Sequence, residues 1–121
     1  MNSSTDIYDL AIAAGSALSY TVDKTTVSNM ISVFQGNPKT EEAFKQLILY
    51  IARQIGRNEI RRDVGKVILS HLKRIYEEHK NNEDELQRNI NTYLIFTKWA
   101  YESKIRAQSF NEFLSKITTE K

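Results

Sequence analysis

Apolar residues recur at intervals of three and four along almost the whole chain, and this spacing leaves few alternatives to a helical fold. One proline and four glycines in 121 residues do little to interrupt such helices. The stretch 93–96 (YLIF) suits a strand by propensity, but no second candidate strand exists with which it could pair. We therefore predict an all-α, single-domain bundle of about five to six helices over residues 1–121.

Capping and turn residues mark the ends of six predicted helices. The helices are expected at about 5–19, 24–35, 41–56, 59–80 and 83–106, with a short C-terminal helix within 107–121. Their possible N-caps are Asp23, Thr40 and Asn58, with two capping boxes at Asn82/Glu85 and Ser109/Glu112. Whether Gly56-Arg57-Asn58 interrupts the chain or only bends it between the third and fourth helices stays open.

The composition bears on the cellular compartment of the protein. It contains no cysteine, which excludes disulfides and thiolate metal sites and is typical of a reducing interior. The N-terminus has no basic region ahead of its apolar part, so it makes a poor signal peptide. No apolar run approaches the roughly 20 residues needed to span a bilayer. We expect a soluble, cytoplasmic protein without a membrane partner.

The sequence offers little for catalysis or metal binding. No nucleophile is paired with a recognisable base, and no glycine-rich phosphate loop is present. His71 and His79 are better explained as solvated or core-edge residues than as ligands, because a metal site needs three or four convergent groups. The acidic run 83–85 suits a helix N-terminus, where the dipole stabilises negative charge. We predict that the protein is not an enzyme and has no catalytic residue, bound metal or cofactor.

Positive charge is concentrated in the middle of the chain. Residues 53–74 hold seven basic and two acidic residues, a net charge of +5, whereas residues 75–87 have a net charge of −4. Helical periodicity turns Arg53 and Arg57 outward on helix three, with Tyr50 beside them. It turns a second row outward on helix four: Arg62, Lys66 and Lys73. Such rows are typical of nucleic-acid binding, although a merely solvated face, with its like-charged neighbours, stays open.

Helix five carries apolar residues on two sides. Its core face is predicted to comprise Leu86, Ile90, Tyr93, Leu94, Thr97, Ala100 and Tyr101. Ile95 and Trp99 point the opposite way, near Arg88 and Arg106, as anchors of a protein interface do. The alternative is burial against the first or last helix of the same bundle. Burial is favoured, because a central helix is apolar all round.

Two segments resemble the Csm-type small subunit of type III CRISPR–Cas effector complexes. The segment LYIARQIGRN (49–58) is similar to a tyrosine-alanine-glycine-arginine segment at a helix end in that family. The segment TYLIFTKWAYESK (92–104) is similar to its penultimate helix, in which aromatic residues precede an alanine-tyrosine pair. Residues 22–34 lie where the family has a threonine-rich helix start. The resemblance covers about 22–106 and leaves 1–20 without a counterpart.

The resemblance implies a non-catalytic small subunit of a CRISPR-associated ribonucleoprotein effector complex that acts in antiviral defence. It implies that basic side chains bind the guide and target RNA backbone without sequence specificity, with Arg53 and Arg57 as phosphate contacts. Helix geometry adds Arg62, Lys66 and Lys73. Copies of the subunit would pack against one another and against other subunits. The predicted subunit contacts are Arg88, Ile95, Trp99 and Arg106.

Two other classes of function stay open. A helical protein-interaction, viral or regulatory module would use its basic face for an acidic protein or DNA, and the Ile95/Trp99 patch with the acidic segment 77–85 for self-association. A helix-turn-helix DNA-binding regulator would use helices three and four. It is less favoured, because the outer row of helix four lacks the Asn, Gln and Ser side chains that read bases.

Overall fold

The computed structural model describes residues 6–119, and that range folds into six α-helices without a β-strand. The helices are α1 (Ile7–Leu18), α2 (Lys24–Gln35), α3 (Thr40–Gly56), α4 (Arg62–His79), α5 (Glu83–Ser103) and α6 (Phe110–Thr119). The predicted all-α, single-domain bundle is confirmed. Residue 5 of the first predicted helix and residues 120–121 of the last lie outside the described residues. Between residues 6 and 119, no helix is both long and apolar enough to cross a membrane.

Helix α5 is the centre of the bundle, since it packs against α1, α2, α3 and α4. All seven residues predicted for its core face are buried: Leu86, Ile90, Tyr93, Leu94, Thr97, Ala100 and Tyr101. The 3.6-residue period located these positions because a helix with one continuous buried face must repeat its apolar residues at that spacing.

Helices α1 and α5 run in the same direction and cross closely at Gly15. Tyr8 stacks on Phe96 with 5.2 Å between ring centroids, and Ser19 Oγ donates to the Tyr101 carbonyl at 3.1 Å. A Cβ added to Gly15 would lie 2.7 Å from the backbone nitrogen of Tyr101. The crossing therefore requires a residue without a side chain.

Helices α3 and α4 form an antiparallel pair. Phe44 near the start of α3 stacks on Tyr76 near the end of α4, with 4.6 Å between ring centroids. At the other end of the pair, the Ile55 side chain packs over Gly65. The last turn of α3 and the first turn of α4 therefore lie at the same end of the bundle.

The junction between α3 and α4 is a break rather than a bend. Helix α3 ends at Gly56 and α4 begins only at Arg62. The prediction that Asn58 caps α4 is wrong: Asn58 lies within the connecting turn in the left-handed conformation (φ 64°), and Arg61 occupies the N-cap position. The turn is closed by the Gln54 carbonyl, which accepts the amides of residues 59 and 60.

Three other helix ends differ from their predictions. Thr40 is the first residue of α3 rather than its cap, and Lys39 takes the N-cap position. Asp23 does precede α2, but its side chain makes no capping hydrogen bond. Helix α5 ends at Ser103 instead of 106, because Lys104 adopts a left-handed conformation (φ 63°). The chain leaves the helix axis there, so residues 105 and 106 lie outside α5.

Both predicted capping boxes are present at their N-cap ends. Asn82 accepts the Glu85 amide at 3.1 Å, and Ser109 accepts the Glu112 amide at 3.2 Å. The Glu112 carboxylate returns to the Gln108 amide, one residue before the cap. This hydrogen bond lowers the pKa of Glu112 from its ordinary value.

Candidate nucleic-acid interface

The five cations predicted to contact phosphate lie on the outside of α3 and α4. All five are exposed: Arg53, Arg57, Arg62, Lys66 and Lys73. At 100° per residue, the three on α4 lie within about 40° of one another around the helix. They face away from the buried stripe of α4, which includes Val64, Ile68, Leu72 and Ile75.

Four of these cations come together where α3 ends and α4 begins. We call this surface the basic corner: Arg53, Arg57, Arg62 and Lys66. The break in the chain places the last turn of α3 and the first turns of α4 at the same end of the helix pair. Lys73 continues the row of α4, about 16 Å from Arg62 along the axis at 1.5 Å per residue. Four predicted residues therefore lie at one end of the α3–α4 pair, and the fifth lies further along α4.

The acidic residue nearest in sequence to the basic corner is already paired. Arg61 donates to the Asp63 carboxylate from Nε at 3.1 Å and from Nη2 at 2.7 Å. These hydrogen bonds lower the pKa of Asp63, which therefore stays ionised and offsets the charge of Arg61. Other ion pairs join Lys24 to Glu102 and Lys116 to Glu112, and His79 lies within 4.0 Å of the Glu78 and Glu85 carboxylates. Across residues 6–119, the five predicted cations form no ion pair.

The two halves of the basic corner differ in how the helix dipoles act on them. Arg53 and Arg57 lie at the C-terminal end of α3, where a cation is stabilised by the negative end of the helix dipole. Arg62 is the first residue of α4, where the dipole opposes positive charge, and Lys66 follows it one turn later. Folding alone thus accounts for the cations of α3 but not for those of α4.

The aromatic residue predicted beside the basic row of α3 is not free. Tyr50 is half-buried and packs against the hydrophobic core. The apolar side chain that α3 does expose is Leu49, one turn before Arg53. An exposed tyrosine with cations beside it lies elsewhere: Tyr20, after α1, with the Lys104 ammonium 5.2 Å from its ring centroid. Sequence analysis missed this pair, because the two residues lie far apart in the chain.

The predicted interface residue Trp99 lies on an apolar groove of about 240 Å³ between α1, α5 and α6. We call this the Trp99 groove, lined by Tyr8, Ile12, Phe96, Trp99, Ala100, Phe110 and Phe113. The favoured prediction, burial of Trp99 against the first or last helix, is wrong. Both helices approach it, but Trp99 remains 62% exposed, and none of the described residues of α6 is buried.

The other predicted subunit contacts separate into two groups. Ile95 is half-buried and Arg88 is exposed, and both lie on the side of α5 that carries Trp99. Arg106 does not share that side, because α5 ends before it. Its Nη2 donates instead to the Ser19 carbonyl at 3.1 Å, at the end of α1.

The two histidines have structural environments. His71 is buried, with Nδ1 3.0 Å from the Tyr93 hydroxyl. Burial, with a contribution from Arg74, lowers the pKa of His71 to about 4, so the ring is neutral at pH 7. His79 lies 3.5 Å from the Glu85 carboxylate. In the part of the chain that the structure describes, no three His, Asp or Glu side chains are arranged to hold a metal ion.

Comparisons with known proteins identify no relative: no family model, no curated protein and no solved structure matches the chain.

Proposed function

We propose that the protein is a non-catalytic subunit of a cytoplasmic ribonucleoprotein effector complex and binds the RNA backbone without sequence specificity. The observation that carries this proposal is the position of Arg62 and Lys66. Both are exposed at the positive end of α4, and neither forms an ion pair with any residue from 6 to 119. The resemblance of 49–58 and 92–104 to the Csm-type small subunit suggests a type III CRISPR–Cas complex.

The energetics of the free protein favour an anionic partner. Like-charged neighbours on a helix cost about 0.2–0.5 kcal/mol per pair, and a cation at a helix N-terminus adds about 0.3–1 kcal/mol. A phosphate beside Arg62 and Lys66 is attracted by both cations and by the positive end of the helix dipole, and it offsets both unfavourable terms. Because the side chains lie in rows rather than around a pocket, they suit a repeating backbone and read no base sequence.

The test is the salt dependence of binding to fluorescent single-stranded RNA. Each phosphate contact on a single strand contributes about 0.7 to the slope of log K against log salt concentration. The triple variant Arg53→Ala/Arg57→Ala/Arg62→Ala is therefore expected to flatten the slope by about 2. It should also weaken binding equally for RNAs of different sequence.

A matched control removes the same charge from other places. Lys24, Lys39 and Lys45 are exposed and lie outside the basic corner. Their triple alanine variant is expected to keep most of the wild-type slope. Equal losses in the two triple variants would show that net charge, not the basic corner, governs binding. Absence of binding at low salt, or a loss confined to one RNA sequence, would contradict the proposal.

The Trp99 groove favours a second element of the proposal, contact with a neighbouring copy or another subunit of the complex. Exposed tryptophan beside an apolar groove, with Arg88 and Ile95 on the same side of α5, has the composition of an interface centre. Trp99→Ala is expected to lower the mass in solution if copies associate through this surface. Dissociated oligomers with unchanged RNA binding would favour a protein-interaction module as the main function.

A further inference from the structure

Tyr20 combines two uncommon properties. It adopts the left-handed backbone conformation (φ 69°), which a bulky side chain rarely takes, and the residue is 67% exposed. Strained residues of this kind persist only where surrounding contacts fix them, and they are frequent at binding sites. The contacts that fix Tyr20 are therefore evidence about the ligand that its ring binds.

The backbone around Tyr20 is tied to the far end of α5. The Tyr20 hydroxyl donates to the carbonyl of Lys104 at 3.1 Å, and Lys104 is itself left-handed. Next to it, the Ser19 carbonyl accepts from Arg106, and Ser19 Oγ donates to the Tyr101 carbonyl. The hydroxyl end of the ring is thus anchored while most of the residue stays open to solvent.

Two cations lie beside this ring. The Lys104 ammonium is 5.2 Å from the ring centroid, and the Arg106 guanidinium carbon is 5.4 Å from it. Such distances allow a cation–π attraction. Both lie over the ring, and the Lys104 ammonium is also 4.9 Å from the ring centroid of Tyr101. Neither cation has an ion-pair partner within the described range 6–119, and Tyr20 as a whole residue is 67% exposed.

A cleft lies between this cluster and the start of α4. It is bounded by α1 and α4, has a volume of about 360 Å³, and has Arg61, Asp63 and Arg106 in its lining. Thr21, the neighbour of Tyr20, also lines it. Because Asp63 offsets the charge of Arg61, Arg106 supplies the net positive charge of the cleft.

We propose that Tyr20 is a stacking platform for an unpaired base of single-stranded RNA, with Lys104 and Arg106 contacting the flanking phosphates. The proposal rests on the proposed function, since it concerns the same ligand. Aromatic rings beside a positive groove are a general means of holding single strands, and stacking accepts any base. The platform adds a property that the basic corner lacks: it distinguishes a single strand from a duplex, whose bases are already stacked.

The test compares Tyr20→Leu with wild type on a 12-nucleotide RNA carrying 2-aminopurine at internal positions, with circular dichroism to verify folding. Loss of the platform is expected to weaken binding by roughly 5- to 150-fold and to abolish the quenching of 2-aminopurine, without changing the salt slope. Affinity for a duplex of the same length should stay the same. Tyr20→Phe is the matched control, because it keeps the ring and removes only the hydroxyl that donates to the Lys104 carbonyl.

A second measurement needs no protein variant. RNA with abasic sites in place of the internal bases is expected to bind wild type more weakly by the same factor, and to bind Tyr20→Leu no more weakly than intact RNA. Equal affinity of wild type for intact and abasic RNA overturns the stacking proposal. So does unchanged binding by Tyr20→Leu.

The outcomes separate this proposal from the one on which it rests. Binding that depends on the basic corner but not on Tyr20 overturns the platform alone. An unchanged salt slope in the Arg53/Arg57/Arg62 triple variant, with quenching lost in Tyr20→Leu, supports the platform and rejects the basic corner. No binding by wild type at low salt overturns both.

Discussion

Two helix crossings in this bundle use glycine in different ways. At the α1–α5 crossing, a Cβ added to Gly15 would meet the backbone of α5, 2.7 Å from the Tyr101 nitrogen and 2.9 Å from the Thr97 oxygen. At the α3–α4 crossing, a Cβ added to Gly65 would meet side chains: it would clash with Ile55 and lie 3.6 Å from Ile60 Cγ2. Backbone inside a helix cannot yield, whereas a side chain can change its rotamer. The first crossing is therefore fixed, and the second can adjust.

The two crossings support different surfaces of the molecule. The fixed crossing holds the central helix and the two chain segments that meet at Tyr20. The adjustable crossing underlies the basic corner, where, in the proposed function, cations on two helices contact the phosphates of a flexible polymer. The cations of the basic corner can shift with the two helices that carry them. They therefore suit a ligand in which the distance between phosphates varies.

The largest expected effect comes from filling the fixed crossing. Gly15→Ala should destabilise the protein by about 1–3 kcal/mol, because α1 must move away from α5 to admit the methyl group. Urea unfolding followed by circular dichroism measures this change.

Gly65→Ala is the control for that prediction. Rotation of Ile55 relieves its contact, and alanine is favoured over glycine in a helix by about 0.5–1 kcal/mol. The net change should therefore stay within about 1 kcal/mol of zero. Equal losses from the two substitutions would remove the distinction between the crossings.

A second prediction concerns the contact between α4, which belongs to the adjustable α3–α4 crossing, and the central helix α5. His71 of α4 bonds Tyr93 of α5, and its pKa is about 4 in the folded protein against an ordinary value of 6.5. Between these values the unfolded chain binds a proton that the folded protein excludes. Stability should therefore rise with pH from about 4 to about 6.5 and level off above that range.

The expected size of this pH effect is about 1–2 kcal/mol, allowing for solvent screening of the part of the ring that is not fully enclosed. Urea unfolding at several pH values gives the dependence. His71→Gln should remove this contribution, whereas His79→Gln should leave it in place. A dependence that survives in His71→Gln would assign it to other groups.

The smallest expected effect separates the two halves of the basic corner. Arg62→Ala should stabilise the free protein by about 0.3–1 kcal/mol, because it removes a cation from the positive end of α4. Arg53→Ala should have the opposite sign and a similar size, because Arg53 lies at the negative end of α3.

Thermal unfolding at low ionic strength shows these signs best, and added salt should reduce both. Losses of stability in both variants would mean that the dipoles do not distinguish the two helices.

The sequence was sufficient for the positions that depend on periodicity. The seven core residues of α5 follow from the helical repeat, as does the outward row Arg62, Lys66 and Lys73. Positions that depend on the backbone leaving a helix were missed. Asn58 is a residue type that tolerates the left-handed conformation, and the sequence left open whether 56–58 forms a break, but Lys104 and the N-cap Arg61 are not types that mark such turns.

Positions that depend on distant parts of the chain were also missed. Trp99 is exposed because α6 covers little of it. The apolar pattern of α5 carries no information on the position of α6, so it did not predict this exposure. Arg106 does not lie on the side of Trp99, because the left-handed Lys104 ends the helix two residues earlier. The cluster at Tyr20 forms only because the ends of α1 and α5 meet, at a sequence separation of 84 residues between Tyr20 and Lys104.

The pairing of α1 with α5 has a consequence for how the chain is made. The hydrogen bond from Ser19 to Tyr101 spans 82 residues. At a synthesis rate of about 5–20 residues per second, α1 leaves the ribosome roughly 4–16 s before the residues that bury it. During that interval its apolar side, including Ala11, Ala14 and Leu18, has no partner in α5. A nascent chain of this protein should therefore bind chaperones through its first helix until the fifth has emerged.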